Sequence, residues 1–293
     1  MPWLGRITQS DIIAGKMTEN EAEINLPDGK EFRQLRREHP LLLSTLDELG
    51  DGFTALFTAV QKQNSSRTGD ILFLLSGAAY TEYEEILVLA LNGYGSGATK
   101  LLRALYERTV TTQYLMTHPD KVQQFIDYTE VHWYKLLKAA EAMGIGDQLS
   151  EERRTEVEKN FKAVEASFTE TVCKPCNKHK LQGAWTKKPI PSQAREINEV
   201  IAALGFQGYL MPTFFLHTTF WGIAQQLREQ PDGILELHNR ESELHHASQA
   251  IVFAGTLMAH LASSINKFYE LDNQAACDRI ENAVGSISDA LMV

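Results

Sequence analysis

The stretch Gly93-Tyr-Gly-Ser-Gly-Ala-Thr-Lys-Leu-Leu-Arg-Ala-Leu-Tyr-Glu-Arg108 decides the fold, because two incompatible readings fit it. Preceded by Ile86-Leu-Val-Leu-Ala-Leu91, it reads as a buried strand, a glycine-rich phosphate loop and a helix. It reads equally as the turn between two long helices, the second carrying Arg103 and Glu107 four residues apart. The phosphate-loop reading fails on spacing. A Walker loop sets Lys directly after its last Gly and a hydroxyl residue next, so that backbone N–H groups cradle phosphate. Here Ala98 and Thr99 separate Gly97 from Lys100, and Leu101 follows. Gly93-x-Gly95-x-x-Ala98 satisfies a permissive dinucleotide pattern, but that pattern needs a repeated βαβ context and an acidic residue about 20 positions on. No such alternation follows. Upstream, Asp70 to Ile86 runs into the supposed strand without a turn signal, as one helix does. The chain is therefore expected to be all-α.

Composition sets the outer limits. A chain of 293 residues, 43% hydrophobic and 23% charged, has ample material for a buried core. Membrane association is not expected: the most apolar stretch, Ile251 to Ile265, is interrupted by His260 and two serines and reads as a core helix. Three cysteines make no disulfide framework, and the N-terminus lacks a secretion-signal layout, so a cytoplasmic location is the expectation. A net charge of −10 argues against broad, passive nucleic-acid binding. It leaves room for a small basic site. The two basic runs are Arg33-Gln-Leu-Arg-Arg37 and Lys174 to Lys188, the latter with His179 and Trp185 interleaved. A solvated surface explains both most simply.

Helical periodicity runs through most of the chain. Residues 1–30 form an irregular lead-in, and 41–60 an amphipathic helix. Helices are expected near 69–91 and 97–117, with a boundary at His118-Pro119-Asp120. The next runs to about Ala142, and a charged one from Ser150 to about Val172. Cys173 to Pro191 is the least regular part. Helices follow over 192–204, 207–229, 240–271 and about 273–290. The expected organisation is an N-terminal extension, 1–68, and a main bundle of about seven to nine helices, 69–293.

Several constellations could carry chemistry. Cys173-x-x-Cys176-x-x-His179 has zinc-like spacing but lacks a fourth ligand nearby, so incidental cysteines are the simpler reading. Glu243-x-x-His246 has the spacing of carboxylate-bridged di-iron sites, which need a second copy that the chain lacks. No metal and no cofactor is therefore expected. Arg240-Glu-Ser-Glu-Leu-His245, or His246 one further, sets Arg and His near a helix start. This resembles the motif of HEPN ribonucleases, in which Arg and His act on a scissile phosphate at a dimer interface. Glu241 and Glu243 sit beside it and would repel phosphate. Arg103 and Glu107 share one face of an otherwise largely apolar helix. His217, flanked by Phe214, Phe220 and Trp221, is the candidate partner for that pair, completing an Arg–Glu–His centre.

The order Leu101-Leu-Arg-x-x-x-Glu107, Phe125-Ile-Asp-Tyr128, Trp185-Thr-Lys, then Tyr209 and Phe215-Leu-His217-Thr resembles the bacterial family known as domain of unknown function 5677, over roughly residues 70–270. Its Leu-Leu-Arg…Glu helix maps onto Arg103 and Glu107, and its late Tyr…Ser-x-x-x-His segment onto Tyr209 and His217. The chain is read as departing from that segment, with Phe214 or Phe215 where a small hydroxyl residue is usual. The family has no settled activity. Its helical build is similar to HEPN-type proteins, and that analogy implies a metal-independent RNA-cleaving or RNA-binding homodimer. Its candidate groups are Arg103, Glu107 and His217, or Arg240 with His245 and His246. The competing expectation is a non-catalytic helical interaction module in which these groups are structural. Clustering at a concave basic dimer cleft favours the first, and burial in a dry core without a pocket favours the second.

Overall fold

A computed structural model describes residues 38–63, 66–173, 178–217, 219–225, 227–229, 231, 233–237 and 240–292. The opening ambiguity resolves into a helical hairpin. Helix α1 spans Leu42–Gln61, α2 spans Arg67–Leu91 and α3 spans Gly95–Thr117. The Ser66 hydroxyl oxygen caps α2 by accepting the Gly69 N–H at 3.1 Å, and Asp70 lies in its positive first turn. Gly93, at φ 80°, makes the reversal between α2 and α3, a conformation that costs glycine nothing. Next come α4 (Val122–Ala142) and α5 (Glu151–Val164), the latter capped by the Ser150 hydroxyl, which accepts the Arg153 N–H at 3.2 Å. A 3₁₀ turn with Pro119 at its start joins α3 to α4.

The remaining elements are shorter until the chain end. Strands β1 (Thr169–Cys173) and β2 (Lys178–Leu181) form an antiparallel hairpin. Helices α6 (Ile190–Ile197) and α7 (Glu199–Gly205) lead through a π-turn, Phe206–Leu210, into α8 (Met211–Leu216) and α9 (Phe220–Ala224). A second small hairpin pairs β3 (Leu227–Glu229) with β4 (Leu235–Leu237). The long α10 (Arg240–Phe268) and α11 (Gln274–Leu291) complete the bundle.

The core lies where α2, α3 and α10 pack on one another, with α11 and α1 closing a second layer. Leu72, Ile86, Leu105, Val110, Ile251 and Leu261 are fully buried in the first, and Leu49, Phe53, Leu56 and Ile280 in the second. The stretch 251–265 belongs to this core. The wider window Glu243–Phe268 is long and apolar enough for a membrane span, yet 61% of it is buried inside the bundle. An Arg108–Glu82 ion pair at 2.5 Å adds a polar tie between α3 and α2.

Three expectations about elements need correction. The charged helix stops at Val164 rather than Val172, because Thr169–Cys173 pairs as a strand with Lys178–Leu181. The helix expected over 192–204 breaks at Asn198, whose backbone is extended and whose side-chain oxygen accepts the Ile201 N–H at 2.8 Å to start a new helix. The helix expected over 207–229 contains Pro212, which lacks the N–H that a continuous helix uses. The chain widens into the π-turn just before it, ends the helix at Leu216 and restarts at Phe220 under a Thr219 cap.

Candidate functional site

Arg103 is the centre of the best-formed polar cluster around the candidate residues. Helical spacing puts Glu107 one turn on, and Arg103 Nε donates to its Oε1 at 3.0 Å. Nη1 donates to the Thr213 hydroxyl at 2.5 Å, and Nη2 reaches the Tyr209 phenol oxygen at 3.4 Å. The guanidinium lies 4.4 Å over the Tyr209 ring. Thr213 in turn donates its hydroxyl proton to the Tyr209 carbonyl at 2.9 Å. All three guanidinium nitrogens therefore have acceptors, and the Arg103 side chain is only 19% exposed. One turn along, the fully buried Tyr106 donates to the Ile201 carbonyl at 2.9 Å. Burial, with the Tyr209 phenol adding, pushes its hydroxyl up to about 12, so it holds its proton at neutral pH. Together these contacts clamp α7, the π-turn and α8 against α3.

His217 does not join this cluster. It lies exposed in extended backbone just past the last turn of α8, where its main-chain N–H donates to the Thr213 carbonyl at 3.0 Å. No hydrogen bond or ion pair links it to Arg103 or Glu107. The place expected for it is taken by Thr213, which supplies the small hydroxyl at the position where Phe214 or Phe215 is expected. Counting four back from His217 reaches Thr213, not Phe214 or Phe215. The Tyr209-x-x-x-Thr213-x-x-x-His217 spacing held that signal.

The second candidate group divides as well. Arg240 opens α10, but its side chain lies outside the described residues. His245 is exposed while His246 is buried, since neighbours on a helix point about 100° apart. The His246 ring stands edge-on to Phe215, centroids 4.8 Å apart, and its Nε2 is buried without a hydrogen-bond partner. Burial holds its pKa below the ordinary histidine range; the nearby His245 adds to that effect and Glu243 opposes it. Glu243 itself reaches across to α3, where Oε2 accepts the Ser96 N–H at 2.8 Å. The helix N-terminus that a phosphate-loop reading offers to a nucleotide is thus occupied by a carboxylate of the same chain. Among the described residues, no group of three or more His, Cys, Asp or Glu is placed to hold a metal ion. The zinc-like candidate falls largely outside them: Cys176 and the Cys173 side chain are not described, and His179 lies on β2 opposite Thr171.

The basic runs are similar in character. Arg33 to Arg37 lies outside the described residues. In the second run, Lys188 is bonded to both oxygens of Glu196 at 2.6 and 2.7 Å, and Lys187 lies 3.5 Å from Glu170. The Lys188 hydrogen bond holds the Glu196 carboxyl below its usual range. Trp185 is buried against Phe125 and Tyr114 rather than free to stack on a base.

The most unusual surface lies on the opposite face of the clamped segment. Residues 199–224 hold one charged residue, Glu199. Val200, Phe206, Leu210, Phe214 and Leu216 stand exposed on α7 to α8, and Phe220, Trp221 and Ile223 on α9. The window Glu199–Leu216 is apolar enough for a membrane span, and only 22% of it is buried.

Comparison with curated proteins and with solved structures finds no match. The sequence profile of a family of unknown function, DUF5677, matches residues 69–234. That range runs from the first turn of α2 to the hairpin after α9, and so includes Arg103, Glu107, Tyr209, Thr213 and His217. It stops short of Arg240, His245 and His246. As it covers more than half of the chain, the protein belongs to the DUF5677 family.

Proposed function

We propose that this chain is a non-catalytic helical interaction module whose contact surface is the outer face of residues 199–224. One observation carries the reading: an exposed apolar stripe with a single charged residue in its segment, on a chain of net charge −10. Large exposed apolar patches mark interaction sites, because leaving them in water is costly. The polar cluster behind the stripe supports the same view. Arg103 is fully engaged with Glu107, Thr213 and Tyr209, which suits a clamp better than a phosphate-binding group awaiting substrate.

The alternative is the HEPN-like reading, an RNA-cleaving or RNA-binding protein using Arg103, Glu107 and His217 or Arg240, His245 and His246. Two experiments separate them. A photoreactive residue replacing Phe214 should form protein adducts, while one replacing the exposed Val88 on α2 should not. Equal labelling from both sites, or none, removes the contact surface. RNA cleavage in EDTA that is lost in folded His217→Ala or His245→Ala/His246→Ala variants would replace the module with a metal-independent nuclease.

A further inference from the structure

From the form of the stripe we infer that its partner is a second copy of this chain, docked about a two-fold axis that passes near Leu210. The inference rests on the reading of 199–224 as a contact surface and names its occupant. Val200, Ala203, Phe206, Leu210 and Phe214 recur at intervals of three and four, so they line one side of the helix that runs through the π-turn. The line is roughly 20 Å long at the usual helical rise. It is self-complementary. Phe206 and Phe214 lie four residues to either side of Leu210, so an antiparallel mate sets Leu210 on its own copy. Each Phe206 then meets Phe214 of the partner subunit. A two-fold interface needs this relation, in which residue i meets j and j meets i.

Area and charge agree with that occupant. Phe206 is 57%, Leu210 51% and Phe214 42% exposed. Trp221 extends the patch, its ring 5.4 Å from that of Phe214. With aromatic side chains of about 150–250 Å² each and smaller aliphatic ones, the exposed apolar residues of 199–224 offer on the order of 600–800 Å² per copy. A standard stable interface takes about 800 Å² per partner. The chain carries a net charge of −10, so two copies repel at long range. The stripe itself holds no charge between Val200 and Ala224, so docking it on itself desolvates no ion and opposes no like charges. A lipid surface fits less well. Interfacial helices carry Lys and Arg beside the apolar face to hold anionic headgroups, and 199–224 has none.

The test uses the full chain. Sedimentation equilibrium should find a dimer at about 100 µM, and Leu210→Asp, which sets two carboxylates face to face, should weaken it at least about 100-fold. Far-UV circular dichroism should be unchanged, since Leu210 points outward. A Leu210→Cys chain, with Cys173 and Cys176 changed to Ser, should form a disulfide-linked dimer on mild oxidation. Val88→Cys in the same background should not. A wild-type monomer at about 100 µM, or a dimer unaffected by Leu210→Asp, overturns the inference. Co-flotation of a monomer with phosphatidylcholine vesicles overturns it in favour of lipid. A monomer that still forms adducts to a different protein from position 214 removes the second copy and leaves the interaction module standing. Absence of adducts as well removes both.

Discussion

Gly95→Ala tests whether α3 and α10 meet as closely as the structure has them. Gly95 is the first residue of α3, and a Cβ there would fall on the Glu243 carbonyl oxygen and within 2.6 Å of the Ala247 amide nitrogen. Both atoms belong to the α10 backbone, so no side chain can swing aside. Relief requires the start of α10 to retreat by on the order of 1 Å to reach ordinary contact distance. Such a shift stretches the 2.8 Å bond from Ser96 N–H to Glu243 and loosens the packing of Ala247 and Ala98, both fully buried. Overpacking of this kind costs about 1–3 kcal/mol. Loss of a side-chain cap adds about 0.5–2 kcal/mol. The expected destabilisation is therefore about 1.5–5 kcal/mol, a large share of a typical domain's stability. Its sign is opposite to what helix propensity alone predicts, since Gly→Ala in an open helix stabilises by up to about 1 kcal/mol. Gly77→Ala on α2, where a Cβ meets nothing within 4 Å, supplies that reference and should stabilise. Urea denaturation followed by circular dichroism measures both, compared at unchanged m-value. A Gly95→Ala protein as stable as wild type, or more so, would refute the close approach and the capping role of Glu243 with it.

Other substitutions probe the clamp and the buried histidine. Arg103→Lys keeps the charge but not the fork, so it should cost about 1–3 kcal/mol in urea denaturation, whereas a loss below about 0.5 would show that the three contacts contribute little. Thr213→Val should cost about 1 kcal/mol alone and couple to Arg103→Lys in a double-mutant cycle; strict additivity would mean that the two side chains do not interact. Tyr106→Phe removes the hydrogen bond to the Ile201 carbonyl and should cost about 1 kcal/mol, with unchanged stability arguing against that bond. His246 has a folded-state pKa below that of the unfolded chain, so as pH falls the unfolded state binds the proton first. Stability present above about pH 6.5 is then lost on acidification. His246→Phe should flatten that loss relative to wild type between about pH 7 and 5, and parallel stability curves would contradict the assignment.

The fold was legible where a local signal and long-range packing agree. The run from Asp70 to Leu91 has no turn residue strong enough to end a helix, and Gly93 at positive φ is the break that follows it. Pro119 likewise marks the boundary between α3 and α4 by opening a 3₁₀ turn, and Ser150 stands at the start of α5. Legibility failed between Val164 and Leu237, where short elements take their form from partners distant in sequence. Thr169 to Cys173 reads as a helix tail until Lys178 to Leu181 supplies a strand to pair with. Asn198 could sit inside a helix by periodicity, yet its side chain stabilises a new helix start more than its backbone stabilises a continuous one. The candidate site was half legible for the same reason. Arg103 and Glu107 follow from one helix and the rule of four, whereas Thr213 enters only because the π-turn rotates α8 to face α3. Glu243 as the cap of a helix that begins at Gly95 is a contact across 147 residues, which local spacing does not encode.

The two faces of the 199–224 segment connect the clamp to the proposed interface. In an isolated helical protein, a surface segment turns its apolar stripe inward and its polar residues to water. Here Tyr209 and Thr213 turn inward to Arg103, with Tyr106 held to the Ile201 carbonyl beside them, while Phe206, Leu210 and Phe214 turn outward. Ile201, Pro212 and Phe215 anchor the inner face, so the segment is fixed in this orientation by packing as well as by hydrogen bonds. The ionic cluster has a physical role in that arrangement. The arginine resists rotation of that segment about its own axis, because turning the apolar stripe inward would take Thr213 and Tyr209 away from Nη1 and Nη2 and leave a partly buried charge with Glu107 alone. The clamp thus holds outward a surface that burial alone would turn inward. On the proposed interface, Arg103 and Glu107 act through the orientation of Leu210, which predicts that loosening the clamp by Arg103→Lys weakens self-association in sedimentation equilibrium although neither side chain lies on the proposed contact stripe.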